Sequence, residues 1–376
     1  MFNNRVFLSP PHMGGNERKF IDEAFASNYI APLGPMVTRF EKLLCQYSGA
    51  SYCAAVSAGT AAIHLALLVL GVKPGNRVIC SSFTFCGSVN PILYVGAKPV
   101  FIDSEPETWN MDPELMKQAI EDSIKEGEKP AAIIMVHLYG MPGKIDRIME
   151  IANHYEIPVI EDAAEALGAS YKGKKLGTYG TIGIYSFNGN KIITTSGGGA
   201  MVTENPQYTE EAVFLATQAR DKAPHYEHTR YGYNYRMSNI VAAIGCGQME
   251  VLSQHVQRKR EINNLYRKYL ADCPWISFQT EPNNDFFSNY WLTTILLDPA
   301  SAPYDREELR LRLEANNVES RPLWKPLHLQ PVFKAMNAKY YGNGVCDHMF
   351  DIGLCLPAPT AATDTIIESV CSLIKN

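Results

Sequence analysis

Residues 132–138 read Ala-Ile-Ile-Met-Val-His-Leu, a short apolar run without alternating polar residues. Such a run is typical of a strand buried on both faces of a mostly parallel sheet, because helices cover both sides of those sheets. The flanking stretches Pro113–Lys125 and Ile145–Tyr155 carry apolar residues at helical spacing. The sequence here therefore predicts a central strand between two helices.

Six similar runs surround this one, at Tyr52–Val56, Arg77–Ser82, Pro99–Asp103, Pro158–Asp162, Ile182–Phe187 and Ala200–Thr203. Their alternation with helical stretches predicts an α/β fold with a mostly parallel seven-stranded sheet. Further on, Asn239–Leu270 is predicted to form one long helix. We expect a large domain over residues 1–250, including an N-terminal arm over 1–35, and a smaller α+β domain over 251–376.

The composition is that of a globular enzyme, with 376 residues, 46% of them hydrophobic and 19% charged. The formal net charge of -5 gives no reason to expect a nucleic-acid partner. Nine cysteines without a CxxC pair suggest neither a zinc site nor a disulfide framework, and they fit a reducing cytoplasm. No signal peptide or membrane-length apolar stretch is visible, so we expect a cytoplasmic protein without membrane contact.

The stretch Ser57-Ala58-Gly59-Thr60 follows a predicted strand and opens a predicted helix, Ala61–Leu70. The first turn of a helix carries unpaired backbone N–H groups and the positive end of the helix dipole, so it attracts anions such as phosphate. Small residues are also common at ordinary strand-to-helix turns, where a threonine only caps the helix. The turn alone leaves both interpretations open.

Asp162 lies where the apolar strand Pro158–Asp162 ends, which is the ligand-binding edge of open α/β sheets. A carboxylate there needs a cationic partner. The protonated pyridine nitrogen of pyridoxal phosphate (PLP) is such a partner, because an aspartate keeps it charged. An isolated aspartate is more often a helix N-cap or one half of a salt bridge.

Lys191 ends the loop Ser186-Phe187-Asn188-Gly189-Asn190-Lys191, which lies between two predicted strands. Partial burial in a tight, mostly uncharged loop favours the neutral amine that forms a Schiff base. A lone lysine is far more often a solvated surface charge. The order along the chain favours the first interpretation, because an anion-binding turn and a strand-end aspartate precede the lysine. No GxGxxG follows a strand, so a dinucleotide site lacks its fingerprint.

His225 and His228 in His-Tyr-Glu-His invite a metal interpretation. The stretch has neither helical context nor further ligands, so we expect no metal site there.

Eight stretches stand out when the chain is taken as a whole: Asn28–Gly34, Ser57–Ala62, Ser81–Phe85, His137–Gly140, Glu161–Ala164, Ser186–Lys191, Gly232–Met237 and Arg321–Trp324. In this order they resemble the sugar aminotransferases of the DegT/DnrJ/EryC1/StrS group, which have the PLP-dependent transferase fold type I. The resemblance covers nearly the whole chain. It implies a PLP cofactor and a homodimer with shared active sites.

The resemblance also implies the cofactor contacts, which are Gly59, Thr60, Phe85, Asp162, Glu165, Ser186, Lys191 and Asn234. Lys191 would form the Schiff base and move a proton between the substrate and the cofactor. Phe85 would stack on the ring, and Asn234 would reach the phosphate from the neighbouring subunit. Glu165 stands where many relatives carry glutamine. A carboxylate would repel the cofactor's phenolate there unless one of the two is protonated.

For the substrate, the resemblance points to Asn28, Tyr29, Ile30, Ala31, Arg236, Arg321, Trp324 and His328. An arginine suits a pyrophosphate, because its planar fork binds oxygens in pairs. An aromatic face suits a sugar or a base. Tyr29 and Trp324 also fit a role as packing residues.

Within the family, Leu8–Glu17 and Asn188–Gly199 are most similar to aminotransferases that form UDP-4-amino-4,6-dideoxy-N-acetyl-glucosamine on the way to bacillosamine. The implied reaction moves an amino group from L-glutamate to C4 of a UDP-linked 4-keto-6-deoxy sugar, for bacterial glycan synthesis. The alternatives are an aminotransferase for another 4-keto sugar, of the GDP-perosamine or dTDP type, a PLP-dependent sugar dehydratase, and a non-catalytic PLP-fold sensor. Lys191 argues against the dehydratase, which carries histidine at that position.

Overall fold

The protein is described by a computed structural model that covers residues 2–375. Its strands, in chain order, are β1 (Tyr52–Val56), β2 (Arg77–Ser81), β3 (Lys98–Ile102), β4 (Ala132–Val136), β5 (Val159–Asp162), β6 (Ser170–Tyr171), β7 (Lys174–Lys175), β8 (Ile182–Ser186), β9 (Gly199–Thr203), β10 (Ile276–Phe278), β11 (Phe286–Phe287), β12 (Thr293–Leu297), β13 (Arg321–Pro322), β14 (Lys339–Tyr341) and β15 (Gly353–Leu356).

The helices, in chain order, are α1 (Glu17–Ala26), α2 (Pro35–Ser48), α3 (Gly59–Val69), α4 (Asn90–Tyr94), α5 (Pro113–Lys125), α6 (Ile145–His154), α7 (Pro206–Ala216), α8 (Asn239–Met249), α9 (Leu252–Tyr269), α10 (Arg306–Ala315), α11 (Pro331–Ala335), α12 (Val345–Ile352) and α13 (Asp364–Lys375). Within residues 2–375, no helix has the length and apolar character that crossing a bilayer requires.

The large sheet has the strand order β1-β9-β8-β5-β4-β2-β3-β14. All its neighbouring pairs are parallel except those of β9, which runs antiparallel to β1 and β8. The predicted α/β fold with a mostly parallel sheet is confirmed, and all seven predicted strands belong to it. The eighth strand, β14, pairs in parallel with β3 at the sheet edge. Its three residues, Lys-Tyr-Tyr, are too few and too polar to give a periodic signal.

Helices cover both faces of this sheet, as the opening stretch predicts. Along β4, Ile133 and Met135 pack into one core with helices α1, α2, α5, α6 and α8. Ala132 and Ile134 point to the other face and pack with α3, α4 and α7. This arrangement explains the apolar run, because a strand with both faces buried has no solvent-facing position to fill with a polar residue.

A smaller antiparallel sheet, β10-β12-β15-β13, packs with α9, α10 and α13 around a separate core. Two segments cross the division expected at residue 250. Val6 packs into this second core, and β14 joins the large sheet. The division into two domains at residue 250 therefore stays a proposal.

The prediction of one helix over Asn239–Leu270 is wrong, because α8 and α9 are separate helices. At the break, the amide of Val251 donates to the carbonyl of Gln248, three residues back, so the last turn tightens. In α8, Gly247 lies against the backbone of Glu17 in α1, where a Cβ would collide at 2.7 Å. Close packing of α1 thus continues to the end of α8.

Candidate active site

A cavity of about 350 Å³ opens at the carboxyl edge of the large sheet, and we call it the first cavity. Its walls come from the ends of β1, β2, β4, β5 and β8 and from the loop that carries Lys191. Seven of the predicted site residues line it: Gly59, Thr60, Phe85, Asp162, Glu165, Ser186 and Lys191, together with Trp324 from the predicted substrate contacts. Segments more than 250 residues apart in the chain thus meet at one strand edge.

One end of the first cavity is formed by the N-terminus of α3. Helix α3 begins at Gly59, which lies close to Ser186 at the end of β8. A Cβ on Gly59 would lie 3.1 Å from the Cβ of Ser186. A Cβ on Gly87 would lie 3.0 Å from Oγ1 of Thr60. Glycine at both positions leaves room for an anion beside the helix N-terminus.

Asp162 is the last residue of β5, and it is buried and lines the first cavity. Its Oδ2 accepts a hydrogen bond of 2.7 Å from the hydroxyl of Ser88, and its Oδ1 accepts one of 3.1 Å from the amide of Ala164. The hydroxyl of Ser88 also lies 2.9 Å from that of Thr84. These bonds fix a carboxylate at the strand end, where a cation would be stabilised.

Lys191 reaches into the first cavity between a carboxyl group and an aromatic ring. Its Nζ lies 3.6 Å from Oε1 of Glu165 and 4.2 Å from the centroid of the Trp291 ring. Its side chain is largely buried. Because burial limits the solvation of this amine by water, the Trp291 ring and the Glu165 carboxyl group stabilise it instead.

Glu165 is buried, and its Oε2 accepts a hydrogen bond of 2.7 Å from the amide of Tyr139. Burial raises the pKa of Glu165 above that of an ordinary glutamate, although Lys191 and the Tyr139 amide oppose the rise. The higher pKa favours the neutral acid, which donates a hydrogen bond as a glutamine amide does. Glu165 stands where many relatives carry glutamine. Its environment reduces the repulsion expected between its carboxyl group and the phenolate of the cofactor.

Aromatic residues form the outer wall of the first cavity. Phe85 is half exposed, and its ring lies 5.3 Å from that of Trp324. The amide of Trp324 donates to the hydroxyl of Tyr139 at 2.9 Å, which holds this C-terminal segment against the large sheet. Phe85 thus has an open face towards the first cavity, as a residue that stacks on a planar ring requires.

Several predicted residues lie outside the first cavity. Asn28–Ala31 and Asn234 are exposed on the surface. Arg236 is turned the other way, because its guanidinium donates to Oε1 of Glu41 at 2.7 Å and to the carbonyl of Ala55 at 2.8 Å. Within one chain, the structure therefore does not bring these residues to Lys191.

The last two predicted substrate contacts are also separated. Arg321 lines a neighbouring cavity and pairs with Glu319 at 3.0 Å. His328 lines neither cavity. Its Nδ1 lies 2.7 Å from the hydroxyl of Ser82 and its Nε2 lies 3.2 Å from Oδ1 of Asp347, so both ring nitrogens are engaged elsewhere.

The predicted absence of a metal at His225 and His228 stays a prediction. His225 pairs with Glu227 at 3.1 Å, whereas Nδ1 of His228 lies 3.0 Å from the carbonyl of Gln218.

Sequence reasoning missed a buried pair beneath the first cavity, His137 and Glu161. The amide of Gly143 donates to Nδ1 of His137, so Nε2 carries the hydrogen and donates to Glu161 at 2.9 Å. Burial alone would raise the pKa of Glu161, but the bonds from His137 and from backbone amides lower it overall. This pair ties β4 to β5 next to Asp162. Both residues lie in stretches that resemble the family, His137–Gly140 and Glu161–Ala164. That resemblance is the signal in the sequence that could have found them.

The residues of the first cavity fit PLP. The amides and hydroxyls at the start of α3 suit the phosphate, Asp162 suits a protonated ring nitrogen, and Lys191 suits the aldehyde. The fold is that of PLP-dependent transferases of fold type I.

The chain belongs to the DegT/DnrJ/EryC1/StrS aminotransferase family, whose pattern matches residues 11–375. EpsN of Bacillus subtilis, named as a PLP-dependent aminotransferase, is 50% identical over 366 residues, which cover 96% of this chain and 93% of EpsN. GDP-perosamine synthase of Escherichia coli O157:H7 is 36% identical over 365 residues, covering 97% of this chain and 96% of that protein.

Among solved structures, a DegT DnrJ EryC1 StrS aminotransferase from Brucella abortus superimposes with a TM-score of 0.88 and is 29% identical, covering 96% of this chain and 94% of that one. The chain is therefore a PLP-dependent aminotransferase. The predictions of family, fold class and cofactor are confirmed.

Proposed function

We propose that this aminotransferase moves an amino group from L-glutamate to C4 of a UDP-linked 4-keto-6-deoxy-N-acetyl sugar, in bacillosamine-type glycan synthesis. The choice of sugar rests on the resemblance at Leu8–Glu17 and Asn188–Gly199. These two stretches touch in the structure, since the hydroxyl of Ser9 donates to the carbonyl of Asn190 at 2.9 Å. The part of the sequence that suggests the substrate therefore lies next to Lys191.

The observation that supports a nucleotide-linked substrate is a second cavity of about 770 Å³ beside the first one. The two cavities share Asn190, Trp291 and Trp324 as walls. Arg321 and Lys325 line the second cavity, together with apolar residues from both ends of the chain. The cavity also carries the carboxylate of Glu319, which pairs with Arg321. A large, mostly apolar cavity with a net positive lining suits a base, a ribose and a diphosphate, while the sugar reaches the first cavity.

When bound, PLP would supply the aldehyde carbon that carries the amino group and an electron sink. Among the described residues that line the first cavity, Lys191 has the only amine, and we assign to its Nζ the transfer of the proton at the substrate carbon. Asp162, fixed by Ser88 and Ala164, would hold the ring of the cofactor through its charge. Trp291 and Trp324 form walls that the first cavity shares with the second.

We further propose a homodimer in the cytoplasm, in which Asn234 reaches the phosphate end of the partner's first cavity. Asn234 lies in an exposed segment with two aromatic side chains, Tyr226 and Tyr231, that are 79% and 81% exposed. Exposed aromatic residues of this kind are enriched at protein interfaces. All nine cysteines, which lie within residues 2–375, are free thiols, and this supports a reducing compartment.

A GDP-linked 4-keto sugar is the second candidate, because the 36% identity to GDP-perosamine synthase covers nearly both chains. The test is to incubate the purified protein with L-glutamate and, separately, UDP-, GDP- and dTDP-linked 4-keto-6-deoxy sugars. Mass spectrometry then measures the amino sugar, with Lys191→Ala as the control. Fastest turnover of the UDP sugar supports the proposal, and fastest turnover of the GDP sugar supports the second candidate. No amino sugar from any of them would overturn both.

A further inference from the structure

A buried lysine lies beneath the loop that carries Lys191. Lys259, in helix α9, is only 2% exposed. Burial lowers the pKa of Lys259 to about 7, and within residues 2–375 no carboxylate pairs with its amine. Replacing such a lysine with an apolar residue would normally stabilise a fold. Because the buried amine of Lys259 destabilises the fold, its contacts should show what it contributes.

Both contacts of Lys259 lead to the residue before Lys191. The Nζ of Lys259 donates to the hydroxyl of Ser9 at 2.9 Å and to the carbonyl of Trp291 at 2.9 Å. The hydroxyl of Ser9 donates in turn to the carbonyl of Asn190 at 2.9 Å, and the indole N–H of Trp291 donates to the same carbonyl at 2.7 Å. Two arms that start at one amine thus converge on one carbonyl oxygen.

The direction of these bonds depends on the amine. Lys259 offers N–H donors to both partners, so the hydroxyl of Ser9 accepts from Lys259 and turns its own hydrogen to Asn190. The second bond fixes the backbone of Trp291, whose ring face lies 4.2 Å from Nζ of Lys191. The amine therefore controls both the peptide before Lys191 and the aromatic wall beside its side chain.

Neighbouring bonds hold the rest of the loop. Nδ1 of His255, one turn before Lys259 in α9, lies 3.1 Å from the carbonyl of Ile192. Gln248 accepts a hydrogen bond of 3.1 Å from the amide of Thr194. Lys259 supplies the part of this support that lies directly before the reactive lysine.

We propose that Lys259 is a positioning residue for Lys191, acting through Ser9 and Trp291 on the carbonyl of Asn190. The inference rests on the proposed role of Lys191 in binding PLP. It assigns to a buried amine outside both cavities a part in the reaction that the family match does not give it.

The test uses the full-length chain, stripped of cofactor and reloaded with PLP. Lys259→Met keeps the length of the side chain and removes its donors, and Ser9→Ala removes one hydroxyl. Lys268→Met, an exposed lysine of the same helix, is the matched control. The measurements are the affinity for PLP, the visible circular dichroism of the lysine-bound cofactor, which reports its orientation, and the melting temperature.

We expect Lys259→Met and Ser9→Ala each to weaken PLP binding about tenfold and to reduce the dichroic band, because a small displacement of a reacting group is costly. The melting temperature of cofactor-free Lys259→Met should not fall, since a buried cation is removed. The double variant should lose much less than the product of the two single losses, because both act on one carbonyl. Lys268→Met should match the unmodified chain.

The outcomes separate the two claims. If the unmodified chain does not bind PLP through Lys191, the proposed function fails. If it does, and both Lys259→Met and Ser9→Ala bind PLP with unchanged affinity and dichroism, only the positioning role fails. It also fails if Ser9→Ala is normal while Lys259→Met merely melts at a lower temperature, because the lysine would then support the fold alone.

Discussion

The floor of the first cavity and the predicted contacts that lie outside it come from different parts of the chain. The floor residues Gly59, Thr60, Asp162 and Ser186 lie at or just after the ends of sheet strands, and Lys191 lies in the loop between β8 and β9. The contacts outside the cavity, which we call the outer set, lie mostly in loops and are Asn28–Ala31, Asn234, Arg236, Arg321 and His328. Strand ends take their positions from a rigid sheet, whereas loops take theirs from distant segments and, in our proposal, from a second subunit.

The largest effect is expected at the floor. Lys191→Ala should lose the visible absorbance of lysine-bound PLP and reduce amino transfer by about 1000-fold or more, because the amine both holds the cofactor and moves the proton. Absorbance spectra and initial rates measure this. Lys175→Ala, outside the first cavity, is the control. Full turnover by Lys191→Ala would falsify its assignment and remove the basis of the comparison.

The outer set is tested by mixing two inactive variants, Lys191→Ala and Asn234→Ala. If Asn234 serves the partner's site, a mixed dimer has one intact site and one doubly altered site. Random mixing then gives half mixed dimers and about one quarter of the normal activity. Native mass spectrometry confirms that mixed dimers form. Mixed dimers without activity would mean that Asn234 acts within its own subunit.

A smaller effect is expected at the second cavity. Arg321→Ala should raise the KM for the sugar nucleotide about fivefold and leave kcat unchanged, because a largely exposed cation contributes about 1 kcal/mol to binding a diphosphate. Steady-state kinetics measure this, with Arg310→Ala on the outer face of α10 as the control. A fall in kcat without a change in KM would place Arg321 in the chemistry instead.

The contrast between strand ends and loops also decides which site residues the sequence alone could place. Apolar runs located the seven strands, and Asp162 and Ser186, at the ends of two of them, lie at the edge where the first cavity opens. Arg236 shows the limit, because its pairing with Glu41 depends on a helix that no local pattern connects to it. Lys259 shows another limit. A lysine in an amphipathic helix is taken as solvated, and only tertiary packing reveals that it is buried.

The smallest effect is expected for Glu165→Gln, which alters a residue lining the first cavity but keeps its hydrogen bonding. A protonated carboxyl group and an amide both donate and accept, so below the raised pKa of Glu165 the rate should change by about threefold at most, the effect of one modest hydrogen bond. Stability separates the two side chains. Burial raises the pKa of Glu165 in the folded chain, so the proton it retains stabilises the fold below the unfolded pKa, and this contribution is lost as pH rises through the folded pKa.

Glutamine has no such titration, so the melting temperature of Glu165→Gln relative to the unmodified chain should increase as pH rises from about 5 to about 8. Thermal unfolding at several pH values, with Glu150→Gln on the surface of α6 as the control, measures this difference. A difference that does not vary with pH would show that Glu165 stays ionised throughout. The first cavity would then hold the charged carboxylate of Glu165 beside the cofactor. The fit of PLP would depend on the amine of Lys191, 3.6 Å away, to neutralise that charge.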